Sequence, residues 1–183
     1  MLRSGKIIAV VFCIVIALVL ALALKPRGTP DRPITSASPT TDDILASIPQ
    51  SKDDSASGKA VIEAVAKIRK KPAEPQSWVA LGDSLAQVLR DSSDQTYFNY
   101  AEKAYLQALS LDPKWADAMN GMAWVTGGRH LFPESIEWAN KALKVAPDSA
   151  DAHGLLGDAA VEQGDYDAAA DHYQKMMDLR PDL

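Results

Sequence analysis

The sequence predicts an all-α chain: a solenoid of antiparallel helix pairs behind one N-terminal transmembrane helix. Three observations carry that prediction. Residues 7–24 form an apolar run interrupted by no polar side chain except the thiol of Cys13. From residue 59 onward apolar residues recur at helical spacing. Two blocks of 34 residues, Ala116–Ser149 and Ala150–Leu183, superpose with the same punctuation.

Residues 1–6 make a short tail carrying Arg3 and Lys6, and residues 7–24 follow as the anchor. As a helix those 18 residues reach roughly 27 Å, close to the hydrocarbon thickness of a bilayer. Ala21-Leu22-Ala23 matches a small-x-small cleavage pattern, which keeps open a removable signal peptide. Against cleavage stand the length of the run and the lack of a polar stretch before that tripeptide. Positive charges nearly balance across the run, with Arg3 and Lys6 facing Lys25, Arg27 and Arg32. A tail this short is expected to stay cytoplasmic. The reading is therefore a single-pass membrane protein with its repeats on the extracytoplasmic side, in a bacterial inner membrane facing the periplasm. The single cysteine excludes an intramolecular disulfide.

Residues 25–58 carry Pro26, Pro30, Pro33, Pro39 and Pro49 among many Ser, Thr and Asp residues. Such a composition buries too little apolar surface to offset chain entropy, so a flexible linker is expected. One interruption, Thr41–Ile48, combines a cap candidate, early acids and three apolar residues; it reads as a transient helical turn or a docking segment.

The repeat domain spans 59–183. A half-repeat, 59–74, places Val61, Ile62, Val65 and Ile68 on one face and ends at Pro72. Three repeats follow, 75–115, 116–149 and 150–183; the first has 41 residues, with an excess of 7 between Leu89 and Ala101. Ala118 aligns with Ala152, Met122 with Leu156, Ala142 with Met176 and Pro147 with Pro181. Gly82, Ala101, Ala108, Gly157 and Ala169 are small where helices must approach closely. Gly164 suits a left-handed helix end, and Gly127-Gly128 suits an early close of the helix before Pro133.

The first repeat carries Trp78-x2-Leu81-Gly82-x2-Leu85, then Ala101-x3-Tyr105, Ala108 and Pro113. The third carries Leu156-Gly157, Gly164-Asp165-Tyr166, Ala169, Tyr173 and Pro181, while the middle one has Met122-Ala123, Ser135 and Ala139. In these motifs residues 75–183 resemble the tetratricopeptide-repeat (TPR) family. The resemblance implies a right-handed superhelix and a protein-binding scaffold. It also implies that a concave face is lined by fixed positions of each repeat. Among these are Val79 and Asp83 in the first repeat, Asp117, Asn120 and Trp124 in the second, and Asp158 and Glu162 in the third, with Trp115 at a junction. This set is acidic with tryptophan, so it disfavours a clamp for a terminal carboxylate and favours a basic and apolar segment of a protein partner. The architecture of anchor and repeats is also similar to the periplasmic TPR domains of cytochrome c maturation factors, although no residue is specific for them.

No catalytic constellation, cofactor or nucleic-acid site is read. His130, His153 and His172 stand in separate settings without the ligand spacing of a zinc site. Charge is polarised along the domain: residues 59–71 hold five basic residues against Glu63, and residues 150–183 hold eight acids against Lys175 and Arg180. Tyr173, Met176, Met177 and Leu179 are expected to be uncovered after the last repeat, which makes self-association through the C-terminal helix the alternative function: an assembly platform that grips no peptide.

Overall fold

Eight helices and no strands make up the described residues, 40–49 and 55–181, of the computed structural model. In chain order they are α1 (Thr41–Ser47), α2 (Ala56–Lys70), α3 (Pro75–Ser92), α4 (Tyr97–Leu111), α5 (Ala116–Gly128), α6 (Phe132–Val145), α7 (Ala150–Gln163) and α8 (Tyr166–Leu179). None of these is long and apolar enough to cross a membrane, and the apolar run 7–24 lies outside the described residues.

Helix ends follow local chemistry. Pro75 opens α3 and Pro133 sits in the first turn of α6, where no backbone donor is needed. Ser149 and Asp165 cap α7 and α8 by accepting from Ala152 N and Ala168 N. Gly164 closes α7 with φ 76°, a left-handed angle that glycine adopts without a steric penalty. Gly127-Gly128 does not act this way. Both remain helical, and the left-handed residue beyond them is His130, φ 60°. Gly128 is instead a packing residue, because a Cβ there would lie 2.5 Å from the Phe98 ring.

The hairpins α3–α4, α5–α6 and α7–α8 stack in sequence, each first helix also touching the first helix of the next pair. Apolar faces that one hairpin leaves open are thereby covered by its neighbour. Trp78, Leu81, Leu85 and Ile68 are fully buried at the α2–α3 end, and Ala101, Ala108 and Ala139 are fully buried where helices meet closely. The seven-residue excess of the first repeat does not form a long loop. It lengthens α3 to 18 residues, against 13 for α5 and 14 for α7, and Ser93 then turns the chain with φ 58°. Of the residues expected to lie open on the last helix, Met177 is exposed while Tyr173, Met176 and Leu179 are half-buried.

Within the stretch 25–58, expected to be a flexible linker, residues 41–47 are helical and α2 already begins at Ala56. A reciprocal cap starts α1: Thr40 Oγ1 accepts from Asp43 N at 3.2 Å, and Thr40 N donates to Asp43 Oδ2 at 2.9 Å. Ile44, Leu45 and Ile48 are buried in the main core, α1 lies against α4, and Lys103 Nζ donates to Ser47 Oγ at 3.3 Å. A helix of seven residues is unstable alone, so these contacts are what hold it. Ile44→Ala with Leu45→Ala is expected to release α1 and abolish amide-exchange protection over 41–48, leaving α3–α8 protected. Absence of protection in the parent protein would restore the flexible-linker reading.

Candidate functional site

The first helices of the three pairs share one face, and residues at equivalent turns line a groove of about 430 Å³. α3 supplies Val79, Asp83 and Arg90; α5 supplies Asp117, Asn120 and Trp124; α7 supplies Asp151, Leu155 and Asp158. Tyr105 of α4 and Met176 of α8 reach in from behind. A second depression of about 380 Å³ shares Trp124, Leu155 and Asp158 and continues to Phe132, Val161 and Glu162. Trp124 thus stands between two hollows of one surface.

The structure brings six sequence-predicted residues together in the first groove: Val79, Asp83, Asp117, Asn120, Trp124 and Asp158. Glu162 lines the second. Trp115 lines neither. It is the N-cap of α5, in extended conformation, and its half-buried ring packs against the main core at the junction of two repeats. The backbone at the helix start turns this side chain inward, so it seals a junction instead of facing the groove.

Asp83 and Asp158 occupy equivalent positions and each accepts a tyrosine hydroxyl, from Tyr105 at 2.9 Å and from Tyr173 at 2.7 Å. The Asp83 side chain still meets solvent, yet the groove walls crowd its carboxyl; that desolvation raises its pKa, with Asp117 and Asp151 adding repulsion against the lowering by Tyr105 and Arg90. Burial first, then the Asp83 charge, pushes the Tyr105 phenol well above its ordinary range. The Tyr173 phenol is pushed up to about 12 by desolvation and by Asp158. In the middle repeat the corresponding positions hold Trp124 and the fully buried Ala139. Removing the tyrosine removes the need for the carboxylate, and a large ring takes its place.

Trp124 is half-buried and held on two sides. The Phe98 ring lies 5.3 Å from it, and the Arg90 guanidinium lies 5.5 Å from its centroid. Arg90 is itself fixed by Gln87, whose Oε1 accepts from Nε at 3.0 Å and from Nη2 at 2.7 Å. Arg90 is absent from the sequence-predicted set. It belongs to the extra turn of α3 that the first repeat's additional residues create. Asn120, 8% exposed, donates from Nδ2 to Ser149 Oγ at 3.0 Å, while its buried Oδ1 has no partner among the described residues.

Chemically, the arrangement presents four carboxylates (Asp83, Asp117, Asp151 and Asp158) and one guanidinium around a preorganised tryptophan face. Asp151 also pairs with Arg180 outside the groove. His153 and His172, expected in separate settings, face each other from α7 and α8 with Nδ1 atoms 3.2 Å apart. Aligning the blocks carried that signal, because both positions correspond to a packed pair, Met119 and Trp138, one repeat earlier.

Residues 128–183 match the family model described as tetratricopeptide repeat. Tetratricopeptide repeats are thus matched over residues 128–183. Among solved structures it is similar to TTC0263, a thermophilic TPR protein of Thermus thermophilus, at 16% identity and a TM-score of 0.62, over 69% of this chain and 66% of that one. It is also similar to MamA, at 18% identity and a TM-score of 0.53, over 68% of this chain and 69% of MamA. The chain spans about two thirds of the length of these structures, and at such identities the likeness is one of fold. No curated protein sequence matches the chain.

Proposed function

We propose that the concave TPR groove binds a segment of a partner protein that presents basic and apolar side chains. The observation that carries this reading is that Asp83, Asp117, Asp151 and Asp158 line the same groove as Trp124. A lysine- or arginine-bearing segment gains complementary charge there, and an apolar side chain gains the half-buried indole. A terminal carboxylate would meet four acids there, offset in part by Arg90 and by the Arg180 that pairs with Asp151. The role is that of a scaffold, with the apolar run 7–24 tethering the domain to a membrane and the repeats on the extracytoplasmic side.

Fluorescence anisotropy with labelled peptides tests the chemistry directly. The full chain in detergent is expected to bind Lys/Leu-rich peptides and to reject Glu/Leu-rich ones, with affinity falling as salt rises. Trp124→Ala is expected to weaken that binding about tenfold or more, as for a central aromatic anchor. Asp117→Lys with Asp151→Lys should abolish it while circular dichroism stays unchanged. Equal binding of acidic peptides, or a Trp124→Ala variant that binds normally but changes oligomer size, would defeat the groove reading in favour of the self-assembling platform.

A further inference from the structure

α2 and α8 stand at opposite ends of the stack, α2 against α3 and α8 against α7. Each carries an apolar stripe that its neighbour does not cover. On α2, Val61, Ala64 and Ile68 are buried, while Ile62, Val65 and Ala66 follow another side at i, i+3 and i+4. Ile62 is 54% exposed, Ala66 is exposed and Val65 is half-buried. These three form one wall of a hollow of about 470 Å³; Leu45, Ile48 and Pro49 form the other, and Arg69 and Lys70 also line it. On α8, Tyr166, Ala170, Tyr173 and Met177 recur at i, i+4, i+7 and i+11, which is one side of a helix. Tyr166 is 70% exposed and Met177 is 49% exposed.

Opposite charges border the two stripes. Residues 59–71 hold Lys59, Lys67, Arg69, Lys70 and Lys71 against Glu63. On α8, Asp167, Asp171 and Asp178 form a row one residue beyond Tyr166, Ala170 and Met177, with Lys175 as the basic residue of that helix. An apolar stripe edged by acids therefore complements an apolar hollow edged by bases: burial of the stripes supplies attraction, and charge sets which end meets which. Two α2 ends would bring bases against bases, and two α8 ends acids against acids. Within one copy α3 to α7 stand between the two surfaces, so the complement of each is found on a second copy.

We propose that copies of this chain associate head to tail, the acidic α8 stripe of one copy seated in the basic α2 hollow of the next. Such a contact is heterologous: it leaves one hollow and one stripe unused, so it extends into an open series unless its rotation closes a ring. The groove around Trp124 lies on α3, α5 and α7 and takes no part, so the contact does not rest on the peptide-binding reading.

Sedimentation velocity of the full chain in detergent, with the bound detergent subtracted, is the test. The parent is expected to form a concentration-dependent series of oligomers that shifts toward monomer as salt rises. Ile62→Glu sets an acid against the acidic stripe, and Met177→Lys sets a base against the basic hollow. Both positions are exposed, so the circular dichroism of each variant should match the parent. Each variant alone should be monomeric at the concentration where the parent assembles. Mixed in equal amounts the two should pair, because each retains the end that the other has lost. Trp124→Ala should leave the series unchanged. A monomeric parent would overturn the proposal, and so would a mixture that stays monomeric. Assembly that survives in either single variant, or that is lost with Trp124→Ala, would place the contact on another surface and defeat the head-to-tail arrangement.

Discussion

Trp78→Ala is expected to cost about 3–5 kcal/mol, the largest loss of any single truncation in the repeats. Trp78 is fully buried at the meeting of α2 and α3, and its Nε1 donates to the Pro72 carbonyl at 2.9 Å. That carbonyl belongs to the turn between the two helices, so the indole fixes both the packing and the angle at which α2 returns. Truncation leaves a cavity against Ile68, Leu81 and Leu85, whose backbones are already committed to helices and cannot collapse into it. Against a total stability of roughly 5–15 kcal/mol for a domain, the loss is a large fraction. Urea denaturation followed by circular dichroism measures it. Trp78→Phe separates the two contributions: it keeps most of the ring volume and forfeits the hydrogen bond, so a loss near ~1 kcal/mol is expected from that bond together with a further packing loss. By contrast Trp124→Ala should leave stability nearly unchanged relative to Trp78→Ala, because its ring is half-buried and lines a groove. If the two tryptophans cost the same, the division between core and groove is wrong.

Trp78 and Trp124 also mark how far the sequence can be read. Trp78 begins the motif with Leu81 and Gly82, and that in-phase pattern determines both its helix and its buried face. Helix ends were legible for the same reason: prolines, Gly164 and small residues recur at fixed offsets, and each has one physical use. α1 was not legible as a docked helix. Its three apolar residues sit in a stretch whose average composition is that of a linker, and only contact with the rest of the domain stabilises them. The groove was legible through the family resemblance, whose fixed repeat positions fall on Val79, Asp117 and Asn120. Trp115, expected at a junction of two repeats, has extended backbone at its helix cap and packs against the core. Arg90 lies outside the positions the resemblance carries over, and its place depends on how the extra residues of the first repeat are absorbed. Lengthening α3 by a turn carries the guanidinium over Trp124; a loop of the same length would not. Asp83 and Asp158 line the same groove, but their bonds to Tyr105 and Tyr173 required the aligned tyrosines to be paired with the aligned acids.

Those tyrosines set the second large effect. Gly121→Ala is expected to destabilise the protein by about 1–3 kcal/mol, although Gly→Ala inside a helix ordinarily stabilises by up to about 1 kcal/mol. The reversal comes from Tyr105. A Cβ on Gly121 would stand 2.4 Å from Tyr105 Cε1, and one on Gly82 would stand at the same distance from that atom. The ring, 2% exposed, therefore threads between the backbones of α3 and α5 and has no direction in which to yield. Its hydroxyl is held by Asp83, which fixes the remaining freedom. Gly127→Ala is the matched control in the same helix, since its Cβ would approach only Ser135, with Oγ at 3.1 Å, and its effect should stay near neutral. A double-mutant cycle identifies the cause. In a Tyr105→Leu background, which shortens the side chain and removes the clashing ring edge, Gly121→Ala should cost little or become favourable, giving a coupling of about 1–3 kcal/mol. Equal destabilisation with and without the ring would mean that the close approach of α3 and α5, and with it the width of the groove they share, is set by something other than Tyr105.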